Sequence, residues 1–370
     1  MDPLVRPIGG REELEQCFDL WGSVFGEGRR FFQSRLDLDR TYSPATTWVA
    51  VADGEIVSAA QLFPFEAQWG GVALRVAGIG SVATRPTHRG RGLALAILNA
   101  QRRWMEEAGS ARKGFALALL FAAPRAEPLY ARAGFHRLPF GTAVAWEPVG
   151  WGHPPYRVRP VAEGDWPALR AIYASQLSHL PMGHIRPPAF WADAIRWTDA
   201  GEPGGVRLVA ESGGEVAGYL FYRWGEDGRA RVLEVVAHPG HPRAAEALAQ
   251  EVYRRAGAGR ALPLTLPVGH GLARGRPAEP GPDRAMWSVV NPAALVRAIH
   301  PVLQRRWVEE RGPLEVAAVP GGMHLRWPSG ERTLAGQNLL AAMMTGLEGD
   351  PLLQGLFPFA PPYLWSLDHF

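Results

Sequence analysis

Between Ser81 and Leu98 the chain reads SVATRPTHRGRGLALAIL: an apolar, strand-like start, a knot of Arg, His and Gly, then an alanine-leucine run of helical type. A strand that ends in a Gly-rich turn and enters a helix leaves backbone N–H groups unpaired at the positive end of the helix dipole, and such a site favours phosphate. Gly90 and Gly92 remove the side chains that would block close approach, while Arg89 and Arg91 carry charge that can pair with phosphate oxygens. The pattern is not the Walker loop, which ends in Gly-Lys-Ser/Thr. Tight helix packing is the competing use of two such glycines. His88, in the same loop, is read as a bracing residue.

Positioning that loop takes a strand before it and a helix after it, and the chain supplies the arrangement twice. VRPIGGREELEQCFDLW, near the start, returns as VRPVAEGDWPALRAIY from Val158. WVAVADGEIVSAAQLFPFE (Trp48 to Glu66) returns as RLVAESGGEVAGYLFYRWGE (Arg207 to Glu226), each predicting two strands joined by a Gly-containing hairpin turn. SVATRPTHRGRGLALAILNAQRRWMEEAG pairs with EVVAHPGHPRAAEALAQEVYRRAGAG from Glu234, each a strand, a loop and an amphipathic helix. The Gly/Pro-rich GHGLARGRPAEPGPD (Gly269 to Asp283) marks the boundary behind the repeats. Three domains are expected, over residues 1–148, 149–275 and 276–370. The third opens with MWSVVNPAALVRAIHPVLQRRW, read as one helix, and continues with candidate strands LEVAAVP and GMHLRWP and a helical NLLAAMMTGLEG. The apolar, aromatic, proline-rich end PLLQGLFPFAPPYLWSLDHF predicts a docked C-terminus rather than a disordered tail.

With 370 residues, 47 % of them hydrophobic, the chain can bury several cores. Its formal charge is only +3, and the basic residues, nearly all arginine with Lys113 the one lysine, are spread along the chain, so no nucleic-acid partner is expected. The longest apolar run, Phe115 to Ala123, is about half of what a membrane-crossing helix needs and predicts a buried strand, so no membrane partner is expected either. Cys17 alone cannot form an internal disulfide, and the opening residues lack the charged and apolar regions of a secretory signal. A cytoplasmic location is expected.

The run Arg89-Gly90-Arg91-Gly92-Leu93-Ala94 resembles the Gln/Arg-x-x-Gly-x-Gly/Ala signature of the GCN5-related N-acetyltransferases (GNAT), and ALALLFAAPRAEPLYARAGF is similar to that family's later strand and short helix. PTHRGRGL, LYARAGF, the tandem repeats and the aromatic C-terminus together resemble the Eis (enhanced intracellular survival) acetyltransferases over the whole chain. The resemblance implies an α/β (α+β) protein: an active and a degenerate GNAT domain, each a mixed sheet flanked by helices, then a sterol-carrier-protein-like α+β domain, with the chains assembled as a homohexamer. It implies acetyl-CoA as the donor and no metal. The pyrophosphate would be cradled by Arg89, Gly90, Arg91, Gly92, Leu93 and Ala94, and the pantetheine arm would lie against the backbone of Val82, Ala83 and Thr84. Aligning Pro86 with Pro239 puts Pro242, Arg243, Ala244 and Ala245 where Arg89 to Gly92 stand. Both glycines are gone and Pro242 lacks an N–H, so the second repeat is expected to be structural.

Moving an acetyl group from a thioester to an amine asks for a deprotonated amine and a proton for the departing thiolate. Tyr130 matches the general acid of the resembling family, and a phenol of pKa about 10 is an effective donor to a thiolate of about 8.5. Packing of the helix end is its competing role. The Eis resemblance places the base at the terminal carboxylate, here that of Phe370, with Asp368 and His369 as alternatives. A terminal carboxylate of pKa about 3.5 would need desolvation or a relaying water to serve. The acceptor is expected to be a primary amine of a small polyamine-like or aminoglycoside-type molecule, or a lysine side chain. Glu27, Asp37, Asp39 and Glu66 would favour a cationic amine, but Arg29, Arg30 and Arg35 lie among them, and a solvated helix face is the commoner fate of such residues. A rival reading makes the chain a non-catalytic CoA-sensing scaffold or lipid carrier built on its third domain. The intact glycine loop and Tyr130 count against it.

Overall fold

Tight turns set the strand pairing of both repeats. Asp53 and Gly54 turn with φ of 51° and 81°, and Gly213 and Gly214 with 61° and 88°, the left-handed pair that a two-residue hairpin requires. The computed structural model describes residues 3–26, 28–40, 42–107, 114–149, 155–180, 182–201, 204–257, 259–345, 350–357, 362–365 and 368. The first repeat comprises β1 (Leu4–Pro7), α1 (Arg11–Phe25), α2 (Arg29–Leu38), β2 (Thr47–Ala52), β3 (Glu55–Trp69), β4 (Val72–Thr84), α3 (Leu93–Glu107), β5 (Leu117–Phe121), α4 (Glu127–Arg132), β6 (His136–Arg137) and β7 (Thr142–Trp146). The second comprises β8 (Arg157–Pro160), α5 (Trp166–Leu177), β9 (Met182–Ile185), α6 (Pro188–Gly201), β10 (Gly205–Ser212), β11 (Glu215–Trp224), β12 (Ala230–Ala237), α7 (Ala244–Arg255) and β13 (Leu262–Leu266). Behind them come β14 (Glu279–Pro280), β15 (Ala285–Val289), α8 (Pro292–Arg306), β16 (Glu315–Val319), β17 (Gly322–Trp327), β18 (Gly330–Ala335), α9 (Gly336–Met344) and α10 (Pro351–Leu356).

The expected α/β architecture of mixed sheets flanked by helices is what the chain forms. The first repeat's sheet runs β1-β2-β3-β4-β5-β15-β6, with β9 added on β3; the second repeat's runs β12-β11-β10-β8. Alternation along β2 directs Trp48 and Ala50 to α3 and Val49 to α1, so α1 and α2 cover one face and α3 the other. The apolar run around β5 is a buried strand as its length predicts. Among the described residues no helix is long and apolar enough to cross a membrane.

Two strands cross between segments that read as separate. β9 lies antiparallel to the end of β3, pairing Met182 with Trp69 and Ile185 with Glu66. The MWSVV stretch, expected to open a helix, is instead part of β15, buried throughout and inserted between β5 and β6. The helix starts only at Pro292, where the Asn291 side chain accepts from the Ala294 N–H at 2.9 Å. An Asn cap followed by proline is a helix start signal, and a buried, largely apolar strand just before it mimics helix continuation. β16, β17 and α9 fall on the segments expected, and β18 completes a three-stranded sheet. Tyr363, Leu364 and Trp365 are buried, so the aromatic end docks.

Candidate active site

β4 and β5 run parallel but pair only at Val76–Gly78 against Leu117–Leu119. Beyond Gly78, β4 continues to Thr84 through a bulge: Ala59 faces Ala83 and Gln61 faces Gly80, which leaves Ser81 and Val82 opposite Ala60. Ser81 adopts φ of 51° there. A bulge re-aims the backbone and frees its polar groups from the ladder. The chain then turns through Pro86–His88 into the loop Arg89–Gly92 and enters α3, whose first intrahelical bond is Ala96 N–H to Gly92 O at 2.9 Å. The N–H groups of Leu93, Ala94 and Leu95 therefore have no acceptor within the helix. Gly90 and Gly92 sit at φ of 76° and 77°, and a Cβ on either would meet nothing within 4 Å. The loop is both conformationally glycine-dependent and open-faced.

A cavity of about 720 Å³ follows this edge. Val82, Ala83, Thr84, Arg89, Gly90, Gly92, Leu93 and Ala94 border it together with Tyr130 and His88. Arg91 does not; its guanidinium donates back to Thr87 O at 3.4 Å, as that of Arg89 does to Thr84 O at 3.2 Å. His88 shares a hydrogen bond with Thr87 Oγ1 at 2.9 Å. Arg125 and Arg132, which the sequence reading passed over, add positive charge to the same cleft from the segment of α4. Their signal was their place beside Tyr130 in APRAEPLYAR. Tyr130 is 8 % exposed, and burial pushes its phenol up to about 12. It is therefore protonated at neutral pH and suited to give a proton, not to take one. Buried Cys17, its thiol pushed up to about 12 chiefly by burial, is no nucleophile.

A second cavity, of about 480 Å³, borders the same stretch of the sheet from the side of α2 and β9. Phe63 in its wall stands opposite Gly78, two residues before the Gly80 that borders the first cavity. Its wall is aromatic (Phe63, Phe65, Phe190) and carries both signs of charge, Asp39 and Glu66 with Arg35 and Arg75. Arg35 lies over the Phe63 ring at 4.6 Å, and burial pulls its guanidinium down to about 10. Of the acidic residues expected to roof this region, Asp39 and Glu66 reach the cavity, whereas Asp37 pairs with Arg11. Arg29 is likewise taken up by Glu15 and Asp19 of α1. Glu27 lies outside the described residues.

The far wall is a buried ionic cluster with no local signature in the sequence. Arg186 holds Glu234 with both terminal nitrogens (2.9 and 2.6 Å) and Asp368 through Nε and Nη2 (2.7 and 2.9 Å). His184 Nδ1 lies 2.8 Å from Asp368, and Tyr219 donates its hydroxyl to Glu234. Burial alone would raise the Asp368 carboxyl, but Arg186 and His184 outweigh it and hold it well below the usual carboxylate range. Asp368 is thus committed to this cluster and is a poor base for the acceptor amine. Phe370 and His369 lie outside the described residues.

Residues 5–138 match the family model for the acetyltransferase (GNAT) domain. Over that span the first repeat is an acetyltransferase (GNAT) domain. Among solved structures, the chain is similar to a probable N-acyltransferase from Enterococcus faecalis, at 20 % identity over 100 % of both chains with a TM-score of 0.69. A GCN5-related N-acetyltransferase from Anabaena variabilis matches at 17 % identity over 100 % of both chains, TM-score 0.68. An Eis protein from Mycobacterium abscessus matches at 16 % identity over 99 % of this chain and 100 % of that one, TM-score 0.62. These likenesses extend the shared fold beyond the matched domain to the whole chain. No curated protein matches.

Proposed function

We propose that the chain is an acetyl-CoA-dependent N-acetyltransferase of Eis type, acting on a primary amine, with its chemistry in residues 1–148. The observation that carries this reading is one cleft bringing together the bulged end of β4, the open glycine loop and Tyr130. Acetyl-CoA supplies the activated acetyl group when bound. Backbone N–H and C=O groups of Val82, Ala83 and Thr84 would pair with the pantetheine arm as an added strand does. The first-turn amides of Leu93 and Ala94, with the loop from Arg89 through Gly92, would hold the pyrophosphate. Arg91 would join by turning in from Thr87. Tyr130 would protonate the departing thiolate, whose own basicity rises in the same desolvated cleft.

The acceptor enters from the side of the second cavity. Because that wall mixes arginines with carboxylates around aromatic rings, it fits an amine on a partly apolar frame, such as a lysine side chain, better than a polycation of aminoglycoside type. We read residues 149–275 as a degenerate GNAT domain and 276–370 as sterol-carrier-like, on the resemblance to Eis proteins. The same resemblance supports a homohexamer, which light scattering on the eluting protein tests. The functional reading is tested by thiol release from acetyl-CoA with spermidine, tobramycin and an N-acetyl-lysine amide offered in turn. Release with at least one amine is expected. None with any of them, from protein that also fails to bind acetyl-CoA in calorimetry, removes the reading.

A further inference from the structure

The second repeat has lost its phosphate loop yet keeps a buried charge where the first repeat has its bulge. The two hairpins share an anchoring bond at the strand end: Arg85 N–H bonds Val57 O in the first, and His238 N–H bonds Ala217 O in the second. Counting back along the strand from those residues puts Glu234 at the position of Ser81, and counting along the partner strand puts Tyr219 at that of Ala59. Glu234 is 0 % exposed and binds Arg186, whose guanidinium stacks 4.0 Å over the Tyr173 ring. Arg186 in turn binds Asp368, so what lies at this strand position is an ion pair whose outer partner belongs to the C-terminal segment.

That segment is stitched to both repeats. Tyr363 stacks on Phe140 of the first repeat (5.4 Å between centroids, 18°), and its hydroxyl donates to Thr265 O in β13 at 2.6 Å. Its N–H bonds Met182 O at 3.2 Å. A Cβ on Gly141 would come within 2.7 Å of the Tyr363 ring, so the close approach is built into the backbone. Asp368 and Arg186 then form part of the wall of the second cavity.

We propose that the second repeat works as a latch: Arg186, clamped by Glu234, is a positioning residue that seats the C-terminal segment through Asp368 and so shapes the acceptor cavity of the first repeat. The proposal rests on the acetyltransferase reading for what the cavity receives. Neutralising Asp368 forfeits its charge-assisted bonds to Arg186 and its pairing with His184, which hold this end of the segment in the wall, so breaking this link frees the segment. The test uses the full chain with Asp368→Asn, which leaves Arg186 its Glu234 partner and so spares the fold, alongside Glu234→Gln. Chymotryptic cleavage after Tyr363 or Trp365 should quicken about tenfold or more in Asp368→Asn. With the best amine of the panel above, kcat/KM for the amine should fall about tenfold, while calorimetric affinity for acetyl-CoA stays within about twofold. Wild-type cleavage, or unchanged amine kcat/KM despite faster cleavage, overturns the latch. Failure of the unmutated chain to bind acetyl-CoA would instead sink the functional reading, and the cleavage rates would still decide whether Arg186 seats the segment.

Discussion

The two repeats start from the same plan and build opposite helix N-termini, at α3 after β4 and at α7 after β12. In the first, the loop before α3 stands clear of the sheet: Gly90 and Gly92 are exposed, left-handed and face open space. In the second, α7 begins at Ala244, whose N–H is already bonded to His241 O, and Ala244 and Ala245 are buried. The site where a Gly218 Cβ would sit lies only 3.1 Å from the Ala244 Cβ, so helix and strand close on each other. Pro242, Arg243, Ala244 and Ala245, where the first repeat has Arg89 to Gly92, replace an open glycine loop with a packed helix start. The difference teaches that the capacity of a helix N-terminus to take an anion depends on what the loop leaves empty and which amides it leaves unpaired.

The comparison breaks most sharply at Gly92. Replacement by Asp places a carboxylate in the proposed cradle and forces an L side chain into φ of 77°. Acetyl-CoA affinity should fall about a hundredfold or more, because the change adds repulsion and strain where donors and space are needed. Calorimetry on folded protein checks it, and unchanged affinity would move the donor site elsewhere.

Tyr130→Phe comes next. A group that acts on the departing thiolate contributes to the transition state and little to binding, so kcat should fall about a hundredfold with the acetyl-CoA KM within a few-fold. Equal turnover would reduce Tyr130 to a residue packing against Phe135, its ring neighbour at 6.4 Å.

The parts of this site that were legible in the sequence are those whose chemistry is local. Arg89 to Gly92 declare themselves because a left-handed backbone needs glycine, and Asp53-Gly54 and Gly213-Gly214 because tight hairpins do. Repetition then supplied the matching of Gly92 with Ala245. What stayed hidden depends on distant partners. MGHI of β9 and AMWSV of β15 carry strand character but nothing that says they belong to the first repeat's sheet. Arg186 lies 48 residues from Glu234 and 182 from Asp368, so a cluster that is plain in space has no spacing to read. Arg125 and Arg132 were adjacent to a recognised motif, and only the cleft shows that they face the same space as the glycine loop.

A smaller effect sharpens the second repeat's side of the comparison. His270, after β13, receives the Leu272 N–H at 3.3 Å and lies edge-on to Trp365 of the docked segment. Burial pulls its imidazole down to about 4, opposed in part by a hydrogen bond to the Val235 backbone. With an ordinary value near 6.5 when unfolded, the unfolded chain binds the extra proton between these limits. The contribution is thus present above pH 6.5 and is lost as pH falls toward 4, amounting to roughly 3 kcal/mol. Urea unfolding at pH 7.5 and 4.5 should show that decline in the wild type and a smaller one in His270→Gln. Equal declines in both would exclude His270 as the titrating group.

The smallest expected effect is the control on which the comparison turns. Arg243 aligns with Gly90 and is exposed, its guanidinium reaching Glu246 three residues on, at 3.3 Å. Arg243→Asp inverts a charge at the N-terminus of α7, as Gly92→Asp adds one at the N-terminus of α3. Were the two loops equivalent donor sites, this change would also cost affinity. Since the α7 N-terminus is packed and its first amide already bonded, acetyl-CoA affinity should stay within about twofold. Stability should move by no more than about 0.5 kcal/mol, a lost surface pair being offset by a carboxylate near the helix start. Ala245→Asp would be a poorer control, because Ala245 is buried and an unpaired carboxylate there would unfold the repeat whatever it binds. A tenfold loss of acetyl-CoA affinity in folded Arg243→Asp would mean that the second repeat contributes to the donor site, and the division of labour drawn between the repeats would have to be abandoned.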